Sequence, residues 1–274
     1  MKTYKEQEDE LFERWMKESE KHGENNEFFA FDGVLYRGDF IYDKNDGNDD
    51  GAWNRNPGNE TELWDNAPKR LLILTKDSTK DGELYDVRIE AGRANGKGAD
   101  CVKADRKAFY DNLHIWSYGL LTACRGEEIQ EFDYTPNWEE LREFYETAPI
   151  ARMNCKKQMG DNSISNSALK YYLDTYKVFI TEQIEMYDAD IILCCGGSDL
   201  ILNFVKENYL RDLEPIVKDK EERWAYYSAS KNKLVINSYH PSLPSARGAN
   251  TYNAMMQDVA QFLKEYPDFT KPSR

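Results

Sequence analysis

No apolar run in this 274-residue sequence approaches the roughly 20 residues that span a bilayer. The opening MKTYKEQEDE is charged and lacks the apolar centre of a signal peptide. Both absences argue against an embedded or exported chain, so a cytoplasmic protein without membrane contact is expected. Cysteine is scarce and unpatterned. Of five, Cys194 and Cys195 are adjacent within an apolar run, while Cys101, Cys124 and Cys155 are scattered. No C-x-x-C pair is present, which speaks against zinc and iron–sulfur sites. Reduced, mostly buried thiols are expected, with no metal and no cofactor.

Positive charge is also short, at 36 Lys and Arg against 50 Asp and Glu, a net −14. Broad adhesion to DNA is disfavoured, because phosphate binding depends on basic side chains that release counterions. The deficit is uneven. Residues 1–66 hold 8 basic against 18 acidic residues, a balance of −10, leaving 28 against 32, or −4, for residues 67–274. What the sequence does have is core material: 40% hydrophobic residues and 13% aromatics, more than a disordered chain carries.

Residues 4–21 have the spacing of a helix with a thin apolar stripe (Leu11, Trp15, Met16), expected at the periphery. FFAFDGVLYRGDFIY (28–42) has the composition of short strands, and 43–59 that of a polar loop. From residue 70, short apolar runs alternate with helical periods. The runs are LLILT (71–75), IARMN (150–154), IILCC (191–195) and LVINS (234–238). Helices are predicted near 106–122, 138–147, 166–187, 198–209 and 250–265, with Ser165 as an N-cap. WAYYSAS (224–230) could pair with LVINS as a hairpin across the KNK turn. Strands separated by helices run parallel with right-handed crossovers, which predicts a three-layer α/β/α sandwich around a mostly parallel sheet of about four strands. Residues 1–66 are expected as an acidic extension packed on a main domain spanning 67–274.

In such a sheet the loops after parallel strands share one edge, where ligands bind. Three polar residues fall there: Asp77 after LLILT, Asn154 ending IARMN, and His240 after LVINS. A carboxylate orients or deprotonates water, an amide reads a heterocycle edge, and an imidazole stabilises a developing anion. The set suits cleavage of a bond to a nucleobase. Plainer roles stand beside it: Asp77 as a turn residue, Asn154 bonding its own loop, and His240 satisfied within a loop.

HPSLPSARG (240–248) resembles the HPSPLS-x-x-RG stretch of uracil-DNA glycosylases. In that family the histidine contacts uracil and a leucine loop wedges into the duplex. LLILTKDST places Asp77 where the family's GQDPYH motif holds its water-handling aspartate, and IARMN ends in an asparagine as the family's next strand does. The three motifs occur in the family's order across residues 70–265. The match departs at Thr75–Thr79, which lacks the Gly-Gln before the aspartate and the Pro-Tyr after it. NCKK (154–157) also resembles the lysine-cysteine-basic segment of the family's iron–sulfur branch, whose cysteine set is incomplete here. The resemblance implies a uracil-DNA glycosylase-like fold and a DNA-acting hydrolase of base-excision repair. Asp77 would position water and His240 would stabilise the departing base. Asn154 would read the base edge. Leu243 would enter the gap left by a flipped nucleotide, Ser242 would contact the nucleic acid, and Arg247 or the group Arg152, Lys156 and Lys157 would lie near phosphates. Base flipping is least costly for unpaired bases, which favours single-stranded DNA. The alternatives are a non-catalytic module holding a nucleotide or nucleic-acid end, and a hydrolase of a small nucleoside-like metabolite.

Other motifs carry less. Asp46, Asn48, Asp50 and Gly51 begin like a calcium loop, but Pro57 stands where a bidentate Glu belongs. GRANGKG (92–98) lacks the G-K-[ST] ending and a preceding strand. Gly196-Gly197-Ser198-Asp199 reads as a tight strand-to-helix turn that could also present N–H groups to an anion. His114 reads as packing, and His22 as a helix C-terminal residue.

Overall fold

The computed structural model describes residues 2–43, 52–78, 85–89, 108–131, 137–160, 164–218, 221 and 224–272. The candidate calcium loop, GRANGKG and Cys101 lie outside these residues. In chain order the strands are β1 (Ala30–Phe31), β2 (Gly33–Val34), β3 (Phe40–Asp43), β4 (Ala52–Arg55), β5 (Leu71–Thr75), β6 (Tyr85–Asp86), β7 (Ile150–Asn154), β8 (Ile191–Cys194), β9 (Glu214–Pro215), β10 (Ala225–Ser228) and β11 (Lys233–Asn237). The helices are α1 (Tyr4–Lys21), α2 (Glu60–Asn66), α3 (Ala108–Ala123), α4 (Trp138–Thr147), α5 (Asn166–Thr175), α6 (Lys177–Tyr187), α7 (Leu200–Asn208) and α8 (Ser245–Glu265).

The main sheet has the order β2-β7-β5-β8-β11-β10-β9. Its four central strands are parallel, while β2 on one edge and β10 and β9 on the other are antiparallel. The sheet therefore holds seven strands rather than about four. The parallel strands are continuous apolar runs because both of their faces are covered. Leu71 and Ile73 face α3, α4 and α8, whereas Leu72 and Leu74 face α1, α5, α6 and α7. Every one of these four side chains is fully buried, each contributing about 1.5–3 kcal/mol of transfer free energy.

Three expectations are corrected. The 43–59 segment contains β4, which pairs antiparallel with β3. Its Ala-Trp-Asn-Arg sequence has no strand period to reveal it. The helix predicted over 166–187 is two helices meeting at Tyr176, whose φ of −105° and ψ of 19° leave the helical range. The apolar period survives the break, because Tyr176 still faces inward against Trp15. The first helix is not peripheral: Leu11, Phe12 and Trp15 are fully buried. From the same acidic segment, β2 completes one edge of the sheet.

Candidate functional site

The central strands are in register at their carboxyl ends, with Thr75 opposite Asn154, Leu74 opposite Cys194, and Asn237 opposite Cys194. The chain leaves β5 toward α3 on one face and β8 toward α7 on the other. The gap between these exits is a topological switch point, where open α/β sheets bind ligands. Asp77 stands on one side. His240 stands two strand spacings away, roughly 10 Å between strand axes. The stretch between them is Cys195-Gly196-Gly197, which carries no side chain beyond the buried thiol. Gly197 has a φ of +63°, and a Cβ there would approach the His240 backbone nitrogen to 3.8 Å. Its N–H donates to the Ser238 carbonyl at 3.1 Å, so Gly196–Asp199 is a tight turn.

Pairing continues past the strand ends and fixes the Asp77 loop. The N–H groups of Cys155, Lys156 and Gly160 donate to the carbonyls of Thr75, Lys76 and Ser78 at 2.9, 2.8 and 3.2 Å. Asp77 is partly buried, and Lys156 Nζ stands 3.8 Å from its Oδ2. At that distance the carboxylate keeps its accepting capacity for another donor. Burial raises its pKa, with Lys156 and Lys76 pulling the other way. A carboxylate raised in this way is a stronger base near neutrality.

His240 is held from two sides. Its Nδ1 accepts the Ser242 N–H at 3.3 Å, and Phe109 packs on the ring at a centroid distance of 5.7 Å. Burial, reinforced by Lys76 and Arg152, lowers its pKa to about 4. The ring is neutral at pH 7, and an Nδ1 acceptor leaves the proton on Nε2. It is a neutral donor beside two cations, an arrangement that favours a developing anion.

The other predicted residues divide. Asn154 is 1% exposed and its amide is engaged within the protein. Its Oδ1 accepts from Thr75 Oγ1 at 2.6 Å and its Nδ2 donates to Ser78 Oγ at 2.8 Å. It ties two strand exits together, which corrects the expectation of an open base-reading edge. Lys157 does not reach phosphates. It is fully buried, pairing with Asp32 at 2.5 Å and donating to Gln183 at 2.9 Å. Arg152 is 4% exposed with its guanidinium 5.2 Å over the Phe109 ring, so its charge reaches His240 through the interior. Lys156 points at Asp77 and at the Gln158 carbonyl. Ser242 and Arg247 are exposed. Leu243 is half-buried, its carbonyl accepting from Asn112 at 2.9 Å.

Sequence reasoning missed Phe109, Asn112 and Asp32. Asn112 Nδ2 also donates to the Pro241 carbonyl at 2.6 Å, and a Cβ at Gly248 would overlap its side chain. Phe109 and Asn112 are three apart on α3, so one helix face supports the whole His240 loop. That spacing was the available signal. Asp32 left none, since it meets Asn154 only through folding.

Four cysteines, Cys124, Cys155, Cys194 and Cys195, are free and buried. Among the described residues no cluster of His, Cys, Asp and Glu could hold a metal, and no helix is long and apolar enough to cross a membrane. A cavity of about 510 Å³ opens at the opposite end of the sheet beside Pro68 and Pro149, away from the switch point. No protein-family model and no curated protein matches the chain.

Proposed function

We propose that this chain hydrolyses the N-glycosidic bond of a nucleobase, in the manner of uracil-DNA glycosylases. The observation that carries the reading is His240: a neutral imidazole with its N–H free of the loop, beside Lys76 and Arg152, across a glycine turn from Asp77. In this reading Asp77 orients a water and takes its proton as the water oxygen bonds to the sugar carbon, and that proton later passes to the departed base. The bond to the base breaks with its electron pair leaving on the base, and His240 hydrogen-bonds that anion. The fold supports it through four parallel strands that deliver both groups to one edge. A second reading, a module that binds without cleaving, is favoured by the departure of Thr75–Thr79 from the family's aspartate motif and by the net charge of −14.

The test is release of free base from a uracil-containing single-stranded oligonucleotide and, in parallel, from a free nucleoside. Wild-type protein should release base, with Asp77→Asn and His240→Ala each slower by about 100-fold or more. Absence of release from both would remove the hydrolase reading for those substrates. Binding without release would support the module.

A further inference from the structure

The cavity of about 510 Å³ lies at the amino ends of β5 and β7, where Pro68 and Pro149 lead into the strands, between α2 and the residues that end α3 and α4. The volume falls within the roughly 300–1,000 Å³ of small-molecule sites. Leu63, Phe144 and the two prolines give it apolar walls, and Arg125 is the one cation among its described lining residues. Arg125 is unusual in its pairing. Other arginines at this depth find acceptors: Arg37 and Arg55 donate to carbonyls, and Arg70, Arg88 and Arg142 to carboxylates. Half-buried Arg125 makes no hydrogen bond and no ion pair in the described structure, although the chain carries 50 acidic residues. Its Nε is closed off from solvent without an acceptor, while the two terminal nitrogens stay open at the cavity wall. The guanidinium lies 5.9 Å from the Phe144 ring centroid, which supports it from one side. Burial lowers its pKa, with Glu127 pulling the other way, so the charge has already lost part of its hydration.

Helix ends at this edge of the sheet would be the ordinary claimants of a cation, and they are already served. The Tyr145 and Ala148 carbonyls of the α4 end accept from Arg37, and the Glu146 carbonyl accepts from Arg55. At the α3 end the Thr122 and Ala123 carbonyls accept the N–H groups of Arg125, Gly126 and Glu127. The Arg125 side chain is therefore a surplus donor, and a guanidinium with two open terminal nitrogens matches the two oxygens of a carboxylate. Glu62 also lines the cavity, but it is exposed, where water screens it, so the half-buried charge sets the preference for an anion. One guanidinium with a carboxylate at the rim suits a single negative charge rather than the two of a phosphate monoester. Phe144, Leu63, Pro68 and Pro149 take the rest of the ligand out of water. We infer that this cavity binds a small monocarboxylate with an apolar body, its carboxylate on Arg125. The site lies at the opposite end of the sheet from Asp77 and His240 and does not depend on what they do.

Calorimetric titration of the full chain tests it with phenylacetate and hexanoate, and with benzyl alcohol, benzylamine and phenyl phosphate as comparisons. The two carboxylates should bind, with benzyl alcohol and benzylamine weaker by about tenfold or more. Arg125→Gln should weaken carboxylate binding by about tenfold or more without lowering the melting temperature, since the side chain bonds to nothing else. Thr147→Glu, at an exposed position on the cavity wall, should weaken it several-fold by repulsion while the fold is unchanged. Equal affinity for benzyl alcohol and phenylacetate would overturn the inference, as would tighter binding of benzylamine or of phenyl phosphate. So would undiminished binding by Arg125→Gln, or no binding of either carboxylate at millimolar concentration.

Discussion

At Asp32 one carboxylate serves three donors: the Asn154 N–H at 2.7 Å, Lys157 Nζ at 2.5 Å and Gln183 Nε2 at 2.9 Å. All four residues are buried, so the geometry of the β7 exit depends on a charge pair that water does not reach. Removing one partner strands the other's charge, which is the expensive way to break such a pair. Asp32→Asn is expected to lower unfolding stability by about 3–5 kcal/mol. Adding Lys157→Met should recover part of that loss, measured as the shift in urea midpoint. His240 gives a pH signature. Its pKa falls from 6.5 unfolded to about 4 folded, so between those values the unfolded chain binds the extra proton. This contribution to stability is fully present above about pH 6.5 and is lost as pH falls toward 4. Denaturant titrations across that window should show a steeper loss for wild type than for His240→Gln. Parallel slopes would place the histidine in water in both states.

At the scale of elements, α1 is the clearest departure from its sequence pattern. Trp15 is fully buried and packs on Phe29, Tyr176 and Phe179 at 6.2, 5.8 and 5.5 Å, so a helix with a thin apolar stripe closes one face of the core. Trp15→Ala should cost about 3–5 kcal/mol, read from chemical denaturation, whereas a helix lying loosely on the surface would lose under about 1 kcal/mol. The four parallel strands were legible because burial on both faces writes a continuous apolar run bounded by turns. Strands of two residues, such as β2 and β9, are too short to hold a period. In the site, position along the chain was legible and side-chain direction was not. Asp77 and His240 stand out in the sequence because they follow buried strands. Lys156 and Lys157 are adjacent, yet one turns toward Asp77 and the other into the core toward Asp32. Lys156 lies in the bend that follows β7, and only the partner arriving from residue 32 decides which lysine is consumed.

Across the whole molecule, a small positive focus formed by Lys76, Arg152 and Lys156 lies inside a chain of net charge −14. A polyanion approaching from solution meets the global charge first, because at about 10 mM salt the screening length is about 30 Å. At about 150 mM it is about 8 Å, and only local charges then matter. A single-stranded deoxyoligonucleotide should therefore associate faster as salt rises over this range, the reverse of a basic nucleic-acid-binding protein. A neutral nucleoside has no charge to be repelled, so its affinity should change by less than about twofold over the same range. Stopped-flow association and calorimetry at the two salt concentrations separate the cases. Oligonucleotide association that falls steeply with salt would mean that the basic focus outweighs the acidic envelope, and would point to a nucleic-acid ligand. A flat nucleoside response with salt-accelerated oligonucleotide encounter would assign the switch-point gap to a small molecule that diffuses in past the acidic surface.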